Sequence, residues 1–249
     1  MRKKLTYVYF ISLLLCSTLG WSQEQETEKP VRLDNSYGLR VGVDLQNIVT
    51  TLTNSNFQGI EFMADYRLSK KYFLAGEIGA QERTLNETSI STTTKGSYIK
   101  LGIDYNVNKN LIGLRNVIFV GGRYGFSRFS QRLNRIRIAT QDNFFGDNIN
   151  NNPGLESDGL TAHWVEFIGG LKVEVLNNVF IGFSVSLRAR IADEEPEGFD
   201  NLYIPGFEIT NDLGSLGAGY RYFVSYHIPL YKKKKKTPKE TEVLEEVAK

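Results

Sequence analysis

The chain has 249 residues, in which 30 lysines and arginines nearly balance 28 aspartates and glutamates, with two histidines and one cysteine. A hydrophobic content of 41% with 12% aromatic residues excludes a disordered chain. No run of about 20 apolar residues follows the N-terminal segment, which excludes a helical membrane protein. The net charge of +2 argues against nucleic acid as a partner, because nucleic-acid-binding domains are usually strongly basic.

The first 22 residues have the layout of a secretory signal peptide. Residues 2–4 are basic, residues 5–19 are mostly apolar, and the small residues Gly20 and Ser22 stand at positions −3 and −1 of a cleavage point. We therefore predict that residues 1–22 are removed on export. Cleavage would also remove the single cysteine, so the mature chain could not rely on disulfides for its stability.

Along the mature chain, apolar and polar residues alternate in eight segments, the pattern of β-strands with two different faces. Some residues on the polar side of that alternation are apolar, among them Val117, Phe119, Trp164 and Ile168. The predicted strands are residues 37–46, 60–68, 72–81, 99–107, 117–126, 164–175, 179–191 and 217–230.

The connections between these strands alternate in length. The links at 69–71 and 176–178 are tight and the link at 108–115 is moderate, whereas residues 130–160 and 192–215 are long loops. Short turns at one end and long loops at the other are typical of up-and-down barrels. We therefore predict an all-β fold, an eight-stranded antiparallel up-and-down β-barrel.

The two faces of the strands predict a barrel that exposes its apolar side to lipid. The apolar stripes carry no charged residue, whereas the polar stripes are rich in glycine, which suits a narrow interior. Bases and acids are nearly equal in number on the polar side, so they could pair inside the barrel. The predicted barrel-interior charge network is Arg40, Asp44, Glu61, Asp65, Arg67, Glu77, Lys100, Asp104, Arg123, Glu166, Lys172, Arg188, Arg190 and Arg221.

The tight link at 176–178 fixes an approximate register between the sixth and seventh predicted strands. Counting back across it places Glu166 near Arg188 or Arg190. We therefore predict an ion pair between Glu166 and one of these arginines.

The signal peptide, the eight alternating segments and residues 219–231, with glycine and alternating aromatics, together resemble the small outer-membrane β-barrel proteins of Gram-negative bacteria. The resemblance covers about residues 36–231. It implies localisation in the cell outer membrane, outer-membrane lipids as surroundings, and the outer-membrane assembly machinery as a partner that reads the last strand. Most such strands end the chain, whereas residues 232–249 follow this one.

In barrels of this kind, short turns face the periplasm and long loops face outward. The predicted organisation is a signal peptide (1–22), an N-terminal periplasmic segment (23–35), a transmembrane barrel (36–231) and a Lys-rich periplasmic tail (232–249). Tyrosines near the short turns would form a periplasmic aromatic girdle: Tyr37, Tyr66, Tyr72, Tyr105, Tyr226 and Tyr231.

The sequence offers little catalytic chemistry. His163 with Ser157 or Asp158 is the one conceivable pairing of a base with a nucleophile, and we predict no catalytic residue, metal site or cofactor. Apolar residues in the 192–215 loop could pack on one another or contact a partner: Leu202, Tyr203, Ile204 and Phe207.

The resulting hypothesis is an outer-membrane barrel with a lumen filled by side chains, because eight strands leave little room for an open channel. Such a protein would be a structural or interaction component of the cell envelope, or an accessory subunit of an outer-membrane complex with an outer-membrane protein partner. Two alternatives stay open, a lipid-modifying outer-membrane enzyme and a soluble periplasmic ligand-binding barrel.

Overall fold

The computed structural model describes residues 36–69, 71–107, 116–138, 148–151, 153–196, 198–210 and 214–232. The predicted signal peptide, the predicted periplasmic segment 23–35 and residues 233–249 of the predicted tail lie outside the described residues. Within the described ranges, no helix is both long enough and apolar enough to cross a membrane.

The described residues form strands and one nine-residue helix. In chain order these are β1 (Ser36–Asp44), α1 (Leu45–Thr53), β2 (Phe57–Arg67), β3 (Tyr72–Asn86), β4 (Ile90–Asn106), β5 (Val117–Ile138), β6 (Asn148–Asn151), β7 (Glu156–Leu176), β8 (Val179–Asp193), β9 (Tyr203–Ile204), β10 (Glu208–Ile209) and β11 (Leu216–Lys232).

Eight of these strands close into an antiparallel ring. Its order is β1, β2, β3, β4, β5, β7, β8 and β11, and β11 pairs with β1 to complete the circle. Short β6 pairs with one side of β5, while β9 and β10 form a separate hairpin. The predicted eight-stranded antiparallel barrel is confirmed, and closure leaves the ring without an unpaired edge strand.

Several strands extend further toward the long loops than the sequence pattern predicts. β5 continues to Ile138 and β7 begins at Glu156, although the predicted strands end at residue 126 and begin at residue 164. The pairing continues through polar positions, such as Gln131 opposite Ser157. In these extensions the alternation is reversed, because the inward Phe129 is apolar and buried whereas its outward neighbours are polar. The apolar outward stripe that marks the predicted strands therefore ends before the strands do.

The prediction for the first strand is wrong at residues 45–46. The strand ends at Asp44, whose carboxylate accepts hydrogen bonds from the backbone N–H groups of Gln46 (2.6 Å) and Asn47 (3.3 Å). These contacts cap the N-terminus of α1, so the chain turns into a helix where the alternation predicts more strand.

The ring carries its apolar side chains outside and its charges inside. Large apolar side chains are exposed on all eight strands of the ring, while charged side chains are buried within it. On β4, for example, Leu101 is 57% exposed whereas its neighbour Lys100 is 3% exposed. This arrangement is the reverse of that in a soluble protein and is the one that hydrocarbon surroundings require. The fold is therefore a transmembrane β-barrel.

An acidic residue on the outer face is expected to block membrane assembly. Leu101→Asp and Val185→Asp would each place a carboxylate in hydrocarbon, which costs up to a few kcal/mol near the bilayer midplane. Ser184→Asp would instead face the lumen, in register with Arg221, and should assemble better. The heat-modifiable fraction on SDS gels of purified membranes measures assembly, and equal assembly of all three variants would contradict this assignment of the faces.

Candidate functional site

A chain of buried ion pairs fills the lumen, and its first part lies toward the short turns. Asp65 accepts from Arg40 Nε (2.8 Å) and from Lys172 Nζ (2.7 Å), and Lys172 also lies 3.6 Å from Asp104. Arg40 is held between two aromatic rings, those of Phe73 and Phe180, with its guanidinium carbon 5.1 and 5.2 Å from their centroids. Lys172 Nζ likewise lies 4.7 Å from the centroid of the Phe119 ring, so both cations combine charge pairing with cation–π contacts.

The middle of the lumen is organised around Glu77. Arg221 donates to both carboxylate oxygens of Glu77, at 2.7 and 2.9 Å, and also to Glu61. Arg123 lies 3.4 Å from Glu77 and 2.7 Å from Asp104, which links this cluster to the pairs below it. A carboxylate with several cationic neighbours can remain ionised although it is buried.

Toward the long loops, Lys100 and Arg188 continue the chain of pairs. Lys100 Nζ lies 3.4 Å from both Glu77 and Glu166 and 3.7 Å from Glu61. Arg188 lies directly opposite Glu166 in the β7–β8 register and makes the pair that the sequence predicts, at 3.4 Å.

Arg190, the other arginine considered for that pair, instead lies 3.0 Å from Asp193. Two members of the predicted network remain. Asp44 is buried and Arg67 is half-buried, and both lie on strands of the same ring. We call the connected set from Arg40 to Glu208 the lumen network.

The lumen hairpin, residues 203–209, covers the lumen toward the long loops. Tyr203 and Ile204 are completely buried, and the ring of Phe207 packs edge-on against Trp164 with centroids 6.1 Å apart. Arg188 donates to the Phe207 carbonyl oxygen at 2.7 Å and pairs with Glu208 at 3.2 Å. The apolar residues Tyr203, Ile204 and Phe207 thus pack inside the barrel, and half-buried Leu202 adjoins them.

Gln81 on β3 joins this hairpin to α1. Its carbonyl oxygen accepts from the Tyr203 hydroxyl and from the Gly206 backbone N–H, both at 2.9 Å. Its amide donates to Asn47 Oδ1 at 3.3 Å. Burial raises the pKa of Tyr203, so the phenol stays protonated and keeps donating at neutral pH. The alternation places Gln81 on the inner face, but nothing in the sequence indicates this linking role.

Little free space remains between these groups. Two cavities within the described part of the lumen each measure about 20 Å³, room for about one water molecule. One lies below the hairpin beside Glu61 and Arg188, and the other adjoins Asp65 and Arg123. The described side chains therefore fill the barrel interior.

The tyrosines predicted as a girdle occupy two kinds of environment. Tyr72 and Tyr226 are each half exposed on the outer face, and the rings of Tyr72 and Tyr105 lie 5.3 Å apart. Tyr66 on β2 is half-buried, and the Tyr231 side chain lies outside the described residues.

Tyr37 does not lie on the outer surface, contrary to the girdle prediction. Its ring is 6% exposed, with the Arg67 guanidinium 5.3 Å from its centroid. A register shift between Tyr37 and Gly38 interrupts the β1–β11 pairing at this point. Such an irregularity breaks the simple alternation on which the prediction depended.

The conceivable catalytic cluster at His163 has other contacts. Its Nδ1 lies 2.7 Å from the Tyr124 hydroxyl, and its ring lies 4.9 Å from that of Phe126. Ser157 and Asp158 are five or six residues away on the same strand, roughly 15–20 Å. Over the ranges that the structure describes, no group of three or more histidines, cysteines and acidic residues is arranged to hold a metal ion.

Residues 6–233 match the family described as a domain of unknown function, DUF6048. The chain belongs to this family. No curated protein sequence matches it. Among solved structures, it is similar to Ail, the attachment invasion locus protein of Yersinia pestis, at 9% identity over 77% of this chain and 97% of that one, with a TM-score of 0.36. It is also similar to CarO2 of Acinetobacter baumannii, at 10% identity over 78% and 98%, with a TM-score of 0.34.

The membrane assignment of this family member follows from its own geometry. A closed ring satisfies the strand hydrogen bonds internally, as hydrocarbon requires. The outer face is apolar and the buried charges are paired inside. Eight antiparallel strands with these two faces are an outer-membrane β-barrel, and the protein accordingly lies in the outer membrane in contact with its lipids.

Proposed function

We propose that this barrel is a non-conducting structural or interaction component of the cell envelope, including an accessory subunit of an outer-membrane complex. The observation that carries the proposal is the lumen network, which runs from Arg40 to Glu208 and meets the lumen hairpin at Arg188. Because each of these buried charges has a partner, the network can stay desolvated inside the barrel, and its side chains leave little room for solutes.

The outer surface then remains for function. β5 has 22 residues, about twice the 9–11 that a tilted strand needs to cross the hydrocarbon. Its far part carries exposed polar side chains such as Arg132. The part of β5 that extends beyond the hydrocarbon supports the proposal of contact with an outer-membrane protein partner.

The outer-membrane assembly machinery would read β11, which alternates glycine and aromatic residues and closes the ring against β1. No catalytic role is included, because His163 bonds to Tyr124 on the outer face, and Ser157 and Asp158 lie five or six residues away from it on the same strand.

The test is conductance. Purified protein reconstituted in planar bilayers is expected to give no stable open-channel steps, because the described side chains pack across the lumen and the two cavities between them are of water size. A general porin reconstituted in the same way is the positive control for insertion. A stable large pore in the wild-type protein would contradict the proposal.

A further inference from the structure

A groove of about 670 Å³ lies on the outer wall of the barrel across β2, β3, β4 and β5. Four of its residues are successive partners in the strand register, with Ile60 opposite Ala80, Ala80 opposite Ser97, and Ser97 opposite Arg128. The small side chains of Ala80 and Ser97 form the floor between the larger ends. The volume is within the roughly 300–1,000 Å³ usual for small-molecule sites.

The groove lies where the apolar belt ends. On its short-turn side, the neighbouring outward residues Phe62, Ile78 and Ile99 are exposed and apolar. On its long-loop side, the lining includes the polar residues Glu82 and Lys95. An occupant would therefore touch hydrocarbon at one end and the polar interface at the other.

The polar end of the groove is basic. Lys95 and Glu82 form an exposed ion pair at 3.4 Å, whereas Arg128 makes no ion pair within the part of the chain that the structure describes. Four residues further along β5, by contrast, Arg132 is paired with Glu156 at 2.9 Å. Among the described residues, Arg128 is thus a guanidinium at the membrane boundary to which no carboxylate is paired.

We propose that this groove binds an anionic lipid of the outer leaflet that carries a terminal phosphate, with this phosphate at Arg128 and an acyl chain along Ile60 and Ala80. The planar fork of a guanidinium matches phosphate oxygens, and an unpaired one at an apolar boundary favours an anionic head with an apolar tail. The long loops face outward, so the polar end of the groove meets the outer leaflet.

The proposal is tested by titrating the intact protein in detergent micelles with phosphatidic acid and, separately, with phosphatidylcholine, with bound lipid counted by native mass spectrometry. Wild-type protein should retain phosphatidic acid in preference to phosphatidylcholine. Arg128→Gln should weaken retention of phosphatidic acid about tenfold, the loss of one charge-assisted contact. Arg132→Gln is the matched control, because it removes the same charge from the same strand outside the groove, and it should change retention little.

A second variant tests the floor of the groove. Ala80→Phe should fill it and weaken retention of phosphatidic acid by about tenfold or more, whereas Ala218→Phe places the same ring on the outer face of β11, away from the groove. Heat modifiability on SDS gels would verify that each variant is folded. Equal retention of the two lipids by wild-type protein, or equal losses in Arg128→Gln and Arg132→Gln, would overturn the proposal. Lipid retention is measured without reference to conductance. A failure of the lipid proposal can therefore be distinguished from a failure of the proposal that the barrel is non-conducting.

Discussion

Replacing Glu77 by glutamine is expected to destabilise the barrel by roughly 3–5 kcal/mol. The side chain is buried and has three cationic neighbours, Arg221, Arg123 and Lys100. Glutamine keeps the shape of the side chain but removes its charge, so three buried cations would lose a shared counter-ion. Guanidinium unfolding in detergent micelles, followed by tryptophan fluorescence, measures the change in free energy.

A double-mutant cycle separates the charge effect from a packing effect. Lys100→Met removes one of the cations that Glu77 neutralises, so the double variant should recover part of the loss seen in Glu77→Gln. Glu82→Gln is the control, because its exposed pair with Lys95 should contribute at most about 1 kcal/mol. Strictly additive effects of Glu77→Gln and Lys100→Met would show that the lumen network does not couple these two groups.

Local regularity explains what the sequence could predict. The alternation of apolar and polar residues repeats every two positions, so it placed Leu101 outside and Lys100 inside without knowledge of the ring. The tight turn at 176–178 placed Glu166 near Arg188 or Arg190, since a short connection approximately fixes the register of the two strands that it joins. The structure shows that Arg188 is the residue opposite Glu166.

Contacts across the lumen depend on information that no local pattern contains. Lys172 binds Asp65, 107 residues away in sequence, and Arg221 binds Glu61, 160 residues away. Which inward side chains meet depends on the tilt and stagger with which the ring closes. The composition predicts that the charges can pair, but only the closed ring determines which pairs form.

The alternation of apolar and polar residues also could not predict the structure of the long 192–215 loop. Residues 203–209 read as an exposed loop with scattered apolar residues, yet Tyr203 and Ile204 are fully buried in the barrel. Their burial depends on Gln81 and Trp164, which the ring brings to that point from distant parts of the chain. A loop that folds back into its own barrel has no periodic signature, so sequence reasoning left open whether these residues would pack or bind a partner.

The position of the lumen hairpin depends on a glycine that touches a fixed aromatic ring. Gly206 has a φ of 83°, a conformation that β-branched residues rarely adopt. A Cβ at this position would lie 2.6 Å from Cγ of Tyr98. The ring cannot move aside easily, because its hydroxyl donates to Glu61 and its far edge lies over Gly79. Any larger residue at position 206 must therefore displace the hairpin.

Gly206→Val is accordingly expected to release the lumen hairpin from the barrel. Backbone strain of about 1–3 kcal/mol and overpacking of about 1–3 kcal/mol would act together, and the hydrogen bond from the Gly206 N–H to Gln81 would be lost. Hydrogen exchange should show loss of protection at residues 203–209 while the ring strands stay protected. Gly198→Val is the matched control: it lies in the same β8–β9 connection at φ 82°, but the nearest atom to an added Cβ is 3.7 Å away, so only the strain contribution remains. If both variants left residues 203–209 equally protected, contact with Tyr98 would not be what holds the hairpin in place.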